Sequence, residues 1–364
     1  MHQMKITVNN KDFLERVNMV GACINSGHHM PILQNLKLEN GDGKLTFTAT
    51  DMEITAKTWM ESTVSKYFGV CIPFKMVSGI LRSLPNGPVD MDFGAKNLHL
   101  VCGHSVYDIP LEDIDAFPKP EELEWKNGFE LPTDELSQSI KNALKFNDPM
   151  DDLGPFSCIK IYARKGKAKI TGFTPQKLYI HELFDTDQEF ELLLSSNTAN
   201  FLSSGVLKDK KVNVSHTDNM IMFQGSDYTI TTIKPNKEMP DHEVLIKKNR
   251  NNGDLVVMDK KELVSKLNRL VAPSMLTYPI VKFTYGPKDL EMRIHNDFIN
   301  YKGLETMPCE KIGEPVTIGF NSNHVLNAVG VVTEEALKFI VGKPNQACFL
   351  KTNKTEIIII PYVA

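Results

Sequence analysis

The sequence predicts an α+β protein of three repeated domains, each with two helices packed on antiparallel sheet. Two recurring phrases predict this. The first is clearest at Val316–Val329, VTIGFNSNHVLNAV, where Val316, Ile318 and Phe320 alternate like a strand. Asn321 or Asn323 can then cap a helix, because its side-chain oxygen accepts from first-turn amides. Val325, Leu326 and Val329 give that helix its apolar stripe. The same phrase stands at residues 71–84 (CIPFKMVSGILRSL) and 192–207 (LLLSSNTANFLSSGVL). Aligned on Ile80-Leu81, Phe201-Leu202 and Val325-Leu326, the copies lie 121 and 124 residues apart, a long-period repeat.

The second phrase keeps the same rhythm. It reads ITVNNKDFLERVNMVG from Ile6, FELPTDELSQSIKNAL from Phe129 and LVVMDKKELVSKLNRLV from Leu255. Asn10, Thr133 and Asp259 are the expected caps, with Glu262 completing a box on Asp259. The stripes are Phe13/Val17/Val20, Leu136/Ile140/Ala143/Leu144 and Leu263/Leu267/Leu270/Val271. Alternating hairpins fill the spaces, with turns at Gly41–Gly43, Lys165–Lys167 and Gly286-Pro287. The run Ile357–Ile360, bracketed by Thr355 and Pro361, suits a fully buried strand. Pro- and charge-rich linkers at 117–128 and 239–254 divide the chain into domains 1–125, 126–249 and 250–364.

Composition narrows the function. The 364 residues are 41% apolar, enough for globular cores, and the net charge is only −4, so no global basic field advertises nucleic acid. The N-terminus enters a strand directly, without a signal peptide, and no apolar run approaches a membrane span. The expected location is the cytoplasm. Six scattered cysteines without a CxxC pair read as buried thiols rather than disulfides or zinc ligands. His28 and His29 form the only histidine cluster and lack an acidic ligand set. They read as a solvated or phosphate-contacting loop, with a metal site as the alternative. The acidic Asp148–Asp152 turn can be solvated or can hold a cation. Phosphate-cradling loops and nucleophile elbows are absent, so the sequence favours a binding protein over an enzyme, with no cofactor.

Charge placement says more. The six predicted helices carry twelve basic and seven acidic residues, a balance of +5, which leaves the rest of the chain near −9. Most helix acids sit in first turns, where they answer the helix dipole. Lys75, Arg82, Lys141, Lys145, Lys208, Lys210, Lys260, Lys261, Lys266 and Arg269 are left on the helix bodies. Either each helix has an ordinary solvated face, or the six share a surface that binds phosphates without reading bases.

Several stretches resemble the bacterial DNA polymerase III β subunit, the sliding-clamp family. These are HMPILQNLKLE (29–39), LTFTATDMEI (45–54), DAFPKPEEL (115–123), MPDHEVL (239–245) and VTIGFNSNHVLN, with a chain end in a strand plus Pro361. The match runs in order along the whole chain. The resemblance implies a head-to-tail homodimeric ring of six domains around duplex DNA, with helices lining the hole. DNA polymerase and clamp loader are the implied partners. It further implies a cleft between domains two and three that takes a short linear peptide. Its lining here would be Phe156, Phe173, Pro175, Lys177, Leu178, Pro240, Val244, Asn321, His324, Ile358, Ile359, Ile360, Pro361 and Tyr362. The dimer contact is expected from Tyr107 and Ile109 against the Val271–Leu276 region of the other copy, because an apolar edge strand needs a partner. Two departures stand out. The family's Thr-Asp-Gly-His-Arg-Leu run is Phe173-Thr174-Pro175-Gln176-Lys177-Leu178 here, and the loop before Phe156 is acidic. A repetitive scaffolding protein without DNA is the competing reading.

Overall fold

The computed structural model describes residues 4–25, 27, 29–64, 66–119, 126–151, 153–242 and 253–362. The first repeat runs β1 (Met4–Asn9), α1 (Asn10–Gly21), β2 (Asn35–Gly41), β3 (Lys44–Thr50), β4 (Ile54–Glu61), β5 (Phe68–Pro73), α2 (Phe74–Ser83), β6 (Pro88–Phe93), β7 (Asn97–Cys102) and β8 (Ser105–Pro110). The second runs β9 (Lys126–Pro132), α3 (Leu136–Leu144), β10 (Cys158–Arg164), β11 (Lys167–Thr174), β12 (Lys177–Asp185), β13 (Phe190–Ser195), α4 (Ser196–Phe201), β14 (Lys211–His216), β15 (Met220–Gln224) and β16 (Tyr228–Ile233). The third runs β17 (Asp254–Asp259), α5 (Lys260–Val271), β18 (Ile280–Tyr285), β19 (Asp289–Asn296), β20 (Tyr301–Pro308), β21 (Glu310–Lys311), β22 (Val316–Asn321), α6 (Ser322–Gly330), β23 (Ala336–Val341), β24 (Cys348–Lys351) and β25 (Thr355–Ile359). The predicted order of elements recurs three times.

Contacts gather the chain into two compact units, Met1–Ser137 with Asn200–Lys234, and Gln138–Ala199 with Pro235–Ala364. The first holds a four-stranded sheet, β1-β6-β7-β8, and an eight-stranded sheet, β5-β2-β3-β4-β16-β15-β14-β9. The second holds a nine-stranded sheet, β13-β10-β11-β12-β25-β24-β23-β17-β21, and a four-stranded sheet, β20-β19-β18-β22. Each long sheet joins two repeats through one antiparallel ladder. Ile54–Thr58 pairs with Tyr228–Thr232 in the first unit, and Lys177–His181 pairs with Thr355–Ile359 in the second. The expected boundaries near 125 and 250 fall in or beside segments outside the described residues.

The helix stripes make the cores. Phe13, Val17 and Val20 of α1 are fully buried, and the Phe13 ring meets Phe47 edge-on at 4.9 Å. Leu136, Ile140 and Ala143 of α3 are buried, and so are Leu263, Leu267 and Leu270 of α5. In α6 the stripe is Val325, Ala328 and Val329, while Leu326 is only half-buried. The hairpins turn where expected. Asp42 and Gly43 adopt φ of 52° and 72°, and Lys165 and Gly166 adopt 53° and 81°, which suits two-residue turns that follow strand twist.

Local expectations are corrected in four places. The cap of α1 is Asn9, whose side chain accepts from Lys11 N at 2.9 Å. Asn10 is buried and its amide donates to Leu81 O, Leu84 O and Pro85 O, tying the end of α2 to the start of α1. Asp259 caps α5 through Glu262 N at 2.7 Å, but the Glu262 carboxylate turns to Lys266 at 2.7 Å. The helix after β13 leaves α geometry at Leu202, runs as a π turn to Val206 and breaks at Gly205, φ 92°. Ile357, Ile358 and Ile359 are buried, but Ile360 is 37% exposed, because the strand ends at Ile359. All six cysteines are free, five of them buried and Cys102 half-buried. Burial pushes the thiols of Cys23, Cys71 and Cys348 up to about 12.

Leu263 and Leu267 should each cost about 2–5 kcal/mol as Leu→Ala, since each leaves a cavity beneath α5. Leu255→Ala, at a 45% exposed position, should cost under about 1 kcal/mol. Urea unfolding midpoints check this, and equal midpoints for all three would show that the stripe is misassigned.

Candidate functional site

The ladder between β12 and β25 has two chemically different faces. Gly172 abuts the backbone of Ala143 in α3, and Tyr179 stacks on Phe146 at 5.3 Å, so Gly172, Tyr179 and Ile357 face the helices. Side chains alternate along a strand, so Phe173, Leu178, Ile180 and Ile358 face the other way. There they form one apolar cluster with Phe349 and Ala347, walled by Phe156, Met239 and Ile340. The Phe156 and Phe173 rings meet edge-on at 5.4 Å. Buried His242 lies against Phe173 at 5.8 Å and shares a 3.0 Å hydrogen bond with Tyr162 Oη. The Asp151 carboxylate accepts from Gly154 N and Phe156 N, which pins the loop that presents Phe156. That acidic loop is therefore a fixed turn, and it carries Met150 and Leu153 at 85% and 96% exposure.

The equivalent ladder between β4 and β16 is built the same way but lined differently. Ile233 N donates to Glu53 O at 3.0 Å as Ile360 N donates to Gln176 O at 2.9 Å. Its outer face carries Thr55, Lys57, Thr231 and Met222, of which Lys57 is exposed and the rest half-buried. One architecture thus has a polar outer face at the first ladder and a buried apolar one at the second.

The chain end forms the rim of that second face. Beyond Ile359 the chain leaves β12, and Tyr362 N donates to Gly319 O of β22 at 2.8 Å. Pro361 lacks an amide proton, and the strand stops before it. Tyr362, 37% exposed, lies over His324 with ring centroids 6.4 Å apart. His324 Nδ1 is buried and has no hydrogen-bond partner among the described residues. Burial, helped by the Lys177 charge, lowers the imidazole from 6.5 to about 4. Lys177 Nζ donates to Lys145 O at 2.7 Å, a carbonyl that also accepts from Asn327 Nδ2 at 3.1 Å. Burial lowers the Lys177 ammonium, against the pull of Asp148. Pro175 and Pro240 are exposed beside this rim. Asn321 is 2% exposed, its side chain spent on capping α6 through Asn323 N. Val244 lies outside the described residues.

The cations expected on helix bodies divide into two sets, and three of them lie past a helix end: Lys145 follows α3, and Lys208 and Lys210 lie between the π turn and β14. Lys75, Lys141, Lys145 and Lys210 are exposed and make no ion pair among the described residues, and Arg82 donates only to Asn18 Oδ1 at 2.8 Å. Five others are engaged. Lys208 meets Glu15 at 2.9 Å, Lys261 meets Glu335 at 2.7 Å, Lys266 meets Glu262, and Arg269 meets Glu305 at 3.0 Å, while Lys260 Nζ donates to Val332 O. His29 is exposed, and His28 lies outside the described residues.

Residues 4–121 match the family model for the DNA polymerase III beta subunit, N-terminal domain. The chain is 19% identical to the beta sliding clamp of Bacillus subtilis over 376 residues, covering 98% of each chain. It is 20% identical to that of Synechococcus elongatus over 333 residues, 88% of each. The likeness to beta sliding clamps thus runs along nearly the whole chain. Its fold agrees with that of the DNA polymerase III β subunit from Pseudomonas aeruginosa, with TM-score 0.91, 18% identity and coverage of 99% and 100%. The Thermotoga maritima subunit superposes with TM-score 0.89 at 17% identity, covering 100% of both.

Set against the sliding-clamp expectations, the structure brings Phe156, Phe173, Leu178 and Ile358 into one cluster, with Lys177, His324, Ile360 and Tyr362 at its rim. Ile359 faces the helices. Sequence reasoning passed over Ala347, Phe349, Met239 and His242, although the MPDH motif had marked the last two. At the expected dimer contact, Tyr107 is half-buried on the edge strand β8, whereas Ile109, 1% exposed, belongs to its own core. Val271 and Leu276 are half-buried around a turn whose Ser274 carbonyl accepts from Asn296 Nδ2. The neighbouring edge strand β20 bears Leu304 at 56% exposure.

A folded-state value near 4 against 6.5 unfolded makes His324 favour the fold fully above about pH 6.5 and lose that contribution as pH falls toward 4. NMR titration of the His324 ring should show a midpoint near 4; a midpoint at 6.5 would mean the ring is solvated.

Proposed function

We infer that this chain is a DNA sliding clamp, a non-enzymatic processivity factor that encircles duplex DNA as a head-to-tail homodimer and tethers the replicative polymerase and clamp loader. The observation that carries the tethering is the contrast between the two ladders. An apolar outer face capped by Phe156 and rimmed by the chain end stands where the equivalent ladder has threonines and a lysine. A linear peptide needs such apolar pockets, with a few polar groups to set its direction. Lys177 and the neutral His324 are those groups. A relative from Pseudomonas aeruginosa was solved bound to griselimycin.

Three repeats divided near 125 and 250 supply the helices that face DNA. Lys75, Arg82, Lys141, Lys145 and Lys210 make the first phosphate contacts, because they need not break an ion pair. Lys208, Lys261, Lys266 and Arg269 exchange a carboxylate for a phosphate, at less net gain. A topologically held ring needs only such weak, sequence-independent contacts, which let it slide. No helix among the described residues is long and apolar enough to cross a membrane, and the site of action is the cytoplasm, at the nucleoid.

One assay on primed, nicked circular DNA separates these roles. Deleting Tyr362–Ala364 should leave the protein folded and retained on the circle but abolish stimulation of its polymerase. Reversing Arg82 and Lys141 to Glu should weaken retention and flatten its salt dependence, with peptide binding unchanged. Parental retention and parental stimulation in both variants would defeat the clamp reading.

A further inference from the structure

Residues 235–241 belong to no helix or strand, so no ladder fixes where they run. Yet Met239 of this stretch packs against the apolar cluster of Phe173, Leu178 and Ile358, and its course therefore shapes the cleft wall. Two side-chain bonds tie the stretch to the second repeat. Lys237 Nζ donates to Ser157 Oγ at 3.1 Å, beside Phe156. At the other end, His242 Nε2 and Tyr162 Oη share a hydrogen bond of 3.0 Å. Both of these rings are buried, at 3% and 2% exposure, and they meet edge-on at 5.6 Å. Beside them lies a cavity of about 260 Å³, lined by Lys160, Tyr162, Arg164, Met239, Asp241 and His242. Close packing is what normally holds a buried segment in one place. On the side of this cavity it is missing, so directional bonds must do the holding.

Tyr162 is a firm post for such a bond. Lys160 Nζ and Arg164 Cζ lie over its ring at 5.5 and 5.9 Å, where the π electrons attract them. Both cations also meet the Glu191 carboxylate, at 2.8 and 3.0 Å. We propose that Tyr162 and His242 form a clasp that positions the cleft wall for a linear peptide. The proposal rests on the peptide-binding reading above and adds two positioning residues to it. Being buried, they act through their neighbours: His242 lies 5.8 Å from the Phe173 ring and is joined by the chain to Pro240 and Met239. With the clasp closed, the apolar wall stands in place before a peptide arrives. With it open, a peptide must order Met239 and Pro240 as it binds, and that ordering weakens the affinity.

Fluorescence anisotropy with a synthetic clamp-binding peptide derived from the polymerase tests the clasp. Tyr162→Phe removes one oxygen and keeps the ring and its cations. It should raise the peptide dissociation constant about threefold to tenfold, measured at a temperature where the variant is fully folded. His242→Ala should weaken binding at least as much. His242→Gln, whose amide can stand where Nε2 was, should recover most of that loss. A lowered melting temperature with a parental dissociation constant in Tyr162→Phe would make the pair structural only and overturn the clasp. A His242→Gln protein as weak as His242→Ala would overturn it too. If His242→Ala does not fold, the Tyr162→Phe measurement decides alone. Each of these results leaves the cleft standing so long as the parent binds the peptide. A parent that does not bind it would overturn the cleft reading and the clasp together.

Discussion

Backbone hydrogen bonding between repeats is the constraint on which the rest depends. A closing strand left alone would expose a row of unpaired amides and carbonyls, a ready template for aggregation. Here β16 closes onto β4 and β25 closes onto β12, so two pairs of repeats share continuous sheets. The register of each ladder is set by residues that must face the helices. Ala49 and Ala56 lie beneath α1 in one, and Gly172 and Tyr179 beneath α3 in the other. A slip of one residue would turn those side chains outward.

Because the helix-facing side is committed to packing, only the outer side of each ladder is free to vary. Evolution of a binding site there needs no change of fold. At the second ladder Phe173, Leu178, Phe349 and Ile358 replace the polar set, and Phe156 is brought over them by a turn that Asp151 pins. Placing so much apolar surface on the outside of a sheet lowers solubility unless something covers it. The segment at Met239–His242 and the chain end cover part, and the rim at Ile360 and Tyr362 stays exposed.

The stripes, hairpin turns and threefold rhythm were legible because they follow from side-chain periodicity and turn chemistry, which act locally. Asn9 took the cap expected of Asn10 because three carbonyls of a distant segment claim the Asn10 amide, which no local pattern displays. Ile360 emerged from the core because the strand is ended by Pro361, one residue earlier than hydrophobicity alone suggests. Counting charges found the basic helices but could not show that Lys208 and Arg269 already hold carboxylates. The grouping of Phe156, Phe173, Leu178 and Ile358 was legible only through family resemblance. His242 and Phe349 stayed hidden, since each looks like an ordinary core residue until the sheet register is known.

The central claim is that the outer face of the β12–β25 ladder, and not that of the β4–β16 ladder, receives the polymerase's linear peptide. Hydrogen–deuterium exchange with a clamp-binding peptide derived from the polymerase measures this directly. Protection should appear at 173–178 and 358–362 and be absent at 51–57 and 229–233. Equal protection of both ladders, or protection confined to the first, would contradict the account.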